Sequence, residues 1–249
     1  MFLFYVNPIL IAAAVIPAIV LLRFVYREDR LDKESPGMLL SLVLFGILAT
    51  FGALIAEQIG ESVLALLVPP YTRAYNAILY FVVVALSEEG FKYLLLKKRT
   101  WWSREFNCQF DGVVYAVFVS LGFALWENIS YVVMYGLGTA LVRAVTAIPG
   151  HACFGVFMGA FYGLAKRYDN FGDEYRSRRC RRLAVWVPVV LHGCYDYIAT
   201  YEYDGYAWIF VGFVVLLFAA AYRMIKRLAR DDRFIDGGDD YNYYNGPEL

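Results

Sequence analysis

Residues 85–96 read ALSEEGFKYLLL and follow the wholly apolar stretch AILYFVVV. Two adjacent glutamates, Glu88 and Glu89, and Lys92 thus interrupt what otherwise has the character of a membrane-spanning helix. A charge at the centre of a span costs about 2.5–3.5 kcal/mol on insertion scales, so such groups need a compensating role. Lys92 is four residues after Glu88, about 40° away round a helix, and the two can pair. Glu89 is turned about 100° from Glu88 and has no counter-charge of its own in the local sequence. On that count Glu89 is the better candidate for proton transfer and Glu88 for positioning, although either could be the base.

The chain has only two histidines, His151 and His192. His151 heads PGHACFGVFMGAFYG, and Gly155, Gly159 and Gly163 continue a four-residue step from it, which puts it on a packing face. His192 is followed one turn later by Asp196, a carboxylate able to accept from the imidazole and fix its tautomer. Another intervening segment, DGVVYAVFVSLGFALWENISYVV, repeats small residues at Gly112, Ala116, Ser120 and Ala124 and ends on Asn128, with Glu127 beside it. A plainer role for Glu127 is to pair with Arg143. Cys153 and Cys194 each stand two residues after a histidine, about 200° round a helix, so neither pair can chelate one ion and both cysteines read as small apolar fillers. The full polar set is Glu88, Glu89, Lys92, Glu127, Asn128, His151, His192 and Asp196. Such residues can bind a metal such as zinc with a further glutamate as base. They can also activate water without a metal while neighbours stabilise an oxyanion. Either route hydrolyses an amide; a proton-coupled transporter uses the same residue types.

The elements that must position these groups are transmembrane helices. The 249 residues are 60% hydrophobic and 18% aromatic, with mean hydropathy +0.50 and formal net charge zero. Ordinary soluble domains are about 45–50% apolar. Apolar runs near the length of a span recur, and the zero net charge argues against a nucleic-acid partner. Four unpaired-looking cysteines indicate no disulfide framework. The expected spans are 2–24, 37–57, 75–97, 110–134, 140–165, 183–200 and 206–227. The connections 23–36, 97–109 and 166–182 and the end of the last span are rich in Lys and Arg; 58–74 carries only Arg73, and 135–139 and 201–205 carry none. Basic loops stay cytoplasmic. The expectation is an all-α polytopic protein of about seven transmembrane helices, N-terminus outside and C-terminus cytoplasmic. The first apolar stretch lacks a basic leader region and reads as a retained span. Pro149-Gly150 should divide the fifth span into an outer segment, 139–148, and a helix beginning near Pro149. Residues 1–230 form one transmembrane helical domain and 231–249 a polar, mobile tail.

With these residues in place the chain resembles the PrsW family of intramembrane proteases, related to the CAAX prenyl endopeptidase and bacteriocin-processing superfamily. EEGFK (88–92), FALWEN (123–128), His151 and HGCYD (192–196) carry the resemblance, which covers roughly residues 80–200. It implies a multi-pass cell-membrane endopeptidase that cuts membrane-anchored proteins, of which anti-sigma factors are the type implied. Glu88 and Glu89 match the paired catalytic glutamates, and His151 and His192 resemble the family's histidines. The prenyl endopeptidases place an arginine one position beyond Lys92, a histidine where Glu127 stands and commonly an asparagine at Asp196. The resulting expectation is a protease with Glu88 or Glu89 as base, Lys92 holding the pair, Asp196 orienting His192, and Asn128 among the catalytic set. His151, His192 and Glu127 are the candidate zinc ligands. A proton-coupled transporter and a non-catalytic membrane scaffold are the alternatives. The sequence leaves oligomeric state open.

Overall fold

The computed structural model describes residues 8–200 and 206–236. It is helical throughout, and among the described residues the one β-type contact is an isolated bridge between Cys108 and Phe234. The elements are α1 (Pro8–Glu28), α2 (Pro36–Leu67), α3 (Arg73–Ile78), a π-helical segment (Leu79–Val84), α4 (Ala85–Thr100), α5 (Asp111–Tyr135), α6 (Leu137–Val145), α7 (Ala147–Asn170), α8 (Glu174–Ala199) and α9 (Tyr206–Arg230). Pro36–Leu67, Asp111–Tyr135, the segment Leu137–Asn170 and Ala207–Arg230 are long and apolar enough to cross a membrane. The expected positions 2–7, 201–205 and 237–249 lie outside the described residues.

Two elements differ from their expected bounds in ways that matter for the site. α2 does not end near residue 57 but continues to Leu67, about 48 Å for its 32 residues. It starts on Ser35, whose hydroxyl accepts from the Met38 amide at 3.2 Å, with Pro36 at the first helical position. Nothing in QIGESVLALL breaks a helix, so the glutamates that marked a loop remain helical. The break before His151 falls at Thr146, and Pro149 is the third residue of α7. A proline there sacrifices no intrahelical bond, because first-turn amides have none.

α5 is the central helix, packed against α7, α2 and α1. The small-residue stripes predicted on α5 and α7 face one another. A methyl added at Gly155 would reach Ser120 Oγ at 2.9 Å, and one added at Gly159 would collide with the backbone of Gly112 and Val113. Backbone contact this close draws α7, and His151 on it, onto α5. Gly193 performs the same service between α8 and the π segment, where an added Cβ would strike the Phe81 ring. Residues 231–236, the start of the expected tail, are docked: Gln109 N donates to Arg233 O at 2.9 Å, Ile235 N to Asn107 O at 2.8 Å, and Ile235 is buried.

Candidate active site

Lys92 is the hub. From α4 its ammonium donates to Glu88 Oε2 at 3.1 Å and Glu89 Oε1 at 2.8 Å, and lies 3.1 Å from His151 Nδ1 on α7. All four side chains are buried, and the ammonium also stands 4.0 Å from the centre of the Phe123 ring. The π segment just before α4 is a feature often found at functional sites. Glu89 is therefore not without a counter-charge, as the local sequence suggested. The lysine stem is long enough to serve residues three and four positions back at once, and His192 Nδ1 adds a 2.9 Å contact to Glu89 Oε1.

The two imidazoles meet. Their ring centroids are 5.4 Å apart, nearly perpendicular, and Phe154 stacks on His192 at 4.7 Å. Each turns Nδ1 towards the glutamates and Nε2 towards another carboxylate: His151 Nε2 lies 2.9 Å from Glu127 Oε2, and His192 Nε2 lies 3.3 Å from Asp196 Oδ2. Lysine ammonium has no acceptor, so Nδ1 of His151 accepts from it and the ring proton sits on Nε2, donated to Glu127. Glu127 is held from its other side by Arg143 at 3.0 Å, so the plainer pairing coexists with the contact to His151. Asn128 points elsewhere: its amide donates to Ala14 O at 3.1 Å and its oxygen accepts from Arg143 Nε at 3.0 Å. It ties α5 to α1 and reaches the cluster only through Arg143. Cys153 is buried and Cys194 half-buried, and both are free thiols.

The cluster borders a cavity of about 400 Å³. Glu88, Glu127, Arg143, His151, His192 and Asp196 line it; Glu89 and Lys92 are not in its wall. Glu57 lines it too. The sequence reading missed Glu57 because it ended the second span there; carrying the helical pattern on through AEQIGESVLALL would have found it.

Among the described residues, Glu88, Glu89 and His151 each offer a ligand atom within 4.8 Å of the others, the one grouping compact enough for a single ion. His192 Nδ1 is the nearest further donor, 2.9 Å from Glu89. Glu127, expected as a ligand, stands behind His151 on the far ring nitrogen. Mixed carboxylate and imidazole donors, each imidazole backed by a carboxylate, fit zinc chemistry, and the His151 tautomer leaves unprotonated the nitrogen an ion would need, now occupied by the Lys92 bond. Lys92 Nζ occupies the middle of those donors, so an ion and the ammonium claim the same place.

Residues 34–222 match the family described as PrsW family intramembrane metalloprotease. The chain is similar to Protease PrsW of Geobacillus kaustophilus (strain HTA426), with 33% identity over 88% of this chain and 91% of the relative. It is also similar to Protease PrsW of Halalkalibacterium halodurans, with 30% identity over 90% and 99%, and to that of Bacillus subtilis (strain 168), with 29% over 88% and 94%. No solved structure matches the chain. Of the three readings the sequence allowed, these relatives select the protease: the chain is a membrane protein that belongs to the PrsW family of intramembrane metalloproteases.

Proposed function

We propose that this chain is an endopeptidase of the cell membrane that hydrolyses peptide bonds of membrane-anchored proteins, with anti-sigma-factor-like single-span proteins as the substrate type. The reading includes seven spans, in which α3, the π segment and α4 count as one and α6 and α7 as another. It places the N-terminus outside and the basic ends of α4, α7, α8 and α9 in the cytoplasm, following the bias of Lys and Arg. The observation that supports it best is the convergence of two carboxylates and two imidazoles, buried at the edge of a cavity of about 400 Å³.

Glu88 is the better base, because it is the glutamate in the cavity wall. Its carboxylate takes a proton from the attacking water as the water oxygen bonds to the scissile carbonyl carbon. The same proton passes to the leaving amine when the C–N bond breaks. Glu89, pinned by Lys92 and His192, positions that arrangement. Lys92, behind the cavity wall, holds the two glutamates and His151 in place through its three contacts. Glu89 and His151, with His192 beside them, are the residues that would hold zinc while Glu88 stays free as the base, with Glu127 and Asp196 orienting the two imidazoles. When bound, zinc supplies Lewis-acid polarisation of the scissile carbonyl.

The test is cleavage of a single-span substrate by purified protein. Glu88→Gln and Glu89→Gln keep shape and hydrogen bonding but cannot ionise, and each should lower the rate by about 10²–10⁴-fold with normal membrane insertion. Near-normal cleavage by both variants would remove the glutamates from the chemistry.

A further inference from the structure

At the opposite end of α4 from Glu88 lies a second cleft, of about 440 Å³, between α4 and α8. Four cations line it, Lys97 from α4 and Arg178, Arg181 and Arg182 from α8, and among the described residues no carboxylate does. Its apolar floor is Tyr93, Val185 and Trp186. Two of the cations are gathered by one buried ring: Trp101, 2% exposed, has Arg181 5.4 Å and Lys97 6.0 Å from its centroid. Such contacts hold the two charges in place before any ligand arrives.

The surroundings say what kind of ligand fits. Leu94, Trp186 and Val190 continue from the cleft along the outside of the same two helices, each more than half exposed. In a membrane protein that strip faces lipid tails, and Trp is favoured where tails meet headgroups. A compact anion set above an apolar strip is the outline of a phospholipid, and basic pockets between membrane helices are known to hold anionic headgroups. We propose that the α4–α8 cleft binds the phosphate of an anionic phospholipid headgroup, with the acyl chains lying along Leu94, Trp186 and Val190. Arg178 also pairs with Glu174 at 3.3 Å on the exposed side, so Lys97, Arg181 and Arg182 carry most of the recognition. The site requires only a membrane setting and is independent of which residue performs proteolysis.

Native mass spectrometry of the full-length chain, released from micelles doped with phosphatidylglycerol or phosphatidylcholine, tests this directly. The expected result is retention of phosphatidylglycerol over phosphatidylcholine. Arg181→Gln/Arg182→Gln should weaken it by about 25-fold, since each Lys or Arg near an anionic lipid surface is worth about fivefold. Arg223→Gln/Arg227→Gln, which removes equal charge from the basic end of α9, should leave it unchanged. Equal losses in both double variants would mean general attraction to a basic membrane face, and no loss in either would mean no site; both overturn the proposal. Release of the lipid by millimolar inorganic phosphate would overturn the lipid assignment in favour of a soluble phosphate ligand. If loss of the Arg181–Trp101 contact unfolds the first variant, Arg178→Gln/Arg182→Gln alters exposed ends of the same cleft and must show the same selectivity with a smaller loss, about fivefold, because Arg178 is already paired with Glu174.

Discussion

Lys92 Nζ lies 3.1 Å from His151 Nδ1, so a cation from α4 is bonded to the imidazole of α7 at the point where both glutamates converge. The lysine neutralises two buried carboxylates and also fills the position that any ion held by Glu89 and His151 would take.

Replacing Lys92 with methionine keeps most of the stem and removes the charge. Glu88 is then left as a buried carboxylate without its close counter-charge, and Glu89 keeps only the His192 contact; breaking a buried pair in this way costs about 3–5 kcal/mol. The expected result is a melting temperature in detergent lower by roughly 10 °C, partly recovered in Lys92→Met/Glu88→Gln. Zinc should raise the melting temperature of Lys92→Met more than that of the parent, because the competing ammonium is gone. Equal zinc responses would show that ion and ammonium do not share the position.

The α5–α7 seam supports the site from below. Gly159→Val inserts a branched side chain where a methyl already strikes the backbone of Gly112 and Val113. Overpacking of this kind costs about 1–3 kcal/mol, and here backbone must move, so the upper end is expected. Both melting temperature and cleavage should fall, because His151 rides on α7. A change in neither would mean that the two helices separate without cost.

How much of this was legible in sequence follows from what each contact depends on. The Glu88–Lys92 pair and the facing glycine stripes follow from helical periodicity, and both are present. The second bond of Lys92, to Glu89, also satisfies a helical spacing, but spacing does not say that one flexible amine will serve two carboxylates. The meeting of His151 with His192 follows only as far as each lies on an interior face; the distance depends on how α7 and α8 cross. Glu57 was hidden because its charge resembled a helix end. The docking of residues 231–236 was not legible at all, since it rests on backbone bonds to residues 107 and 109 that any side-chain pattern allows.

Outside the membrane segments, the loop between α1 and α2 gives a pH dependence. Burial pushes the Asp29 carboxyl up to about 6 against the pull of Lys33, and burial together with the neighbouring acids Glu105 and Asp29 pushes Glu34 up to about 8. The folded protein therefore holds protons on these groups more tightly than the unfolded chain, whose values are 3.8 and 4.5. Their stabilising contribution is complete below the unfolded values and is lost as pH rises through about 6 and then about 8. Melting temperature should decline from about pH 5 to about pH 9, and Glu34→Gln should flatten the upper half of that decline. A Glu34→Gln profile parallel to the parent would take Glu34 out of the linkage.

The carboxylates behind the two histidines should differ in weight. Glu127 is 2.9 Å from His151 Nε2 and is braced by Arg143, whereas Asp196 is 3.3 Å from His192 Nε2. In both cases the carboxylate fixes ring orientation, and loss of such a partner typically costs about 10–100-fold in metal affinity or activity. Glu127→Gln still offers His151 an acceptor but gives up the charge that holds Arg143, so it should fall near the severe end. Asp196→Asn weakens a longer contact and should fall near the mild end. Neither variant removes a carboxylate from the Glu88–Glu89 pair, so each should keep measurable cleavage where Glu88→Gln does not. The measurement is kcat and KM for the single-span substrate, with zinc content of the purified protein alongside. Asp196→Asn proving more damaging than Glu127→Gln would make His192, and not His151, the imidazole whose orientation limits the reaction.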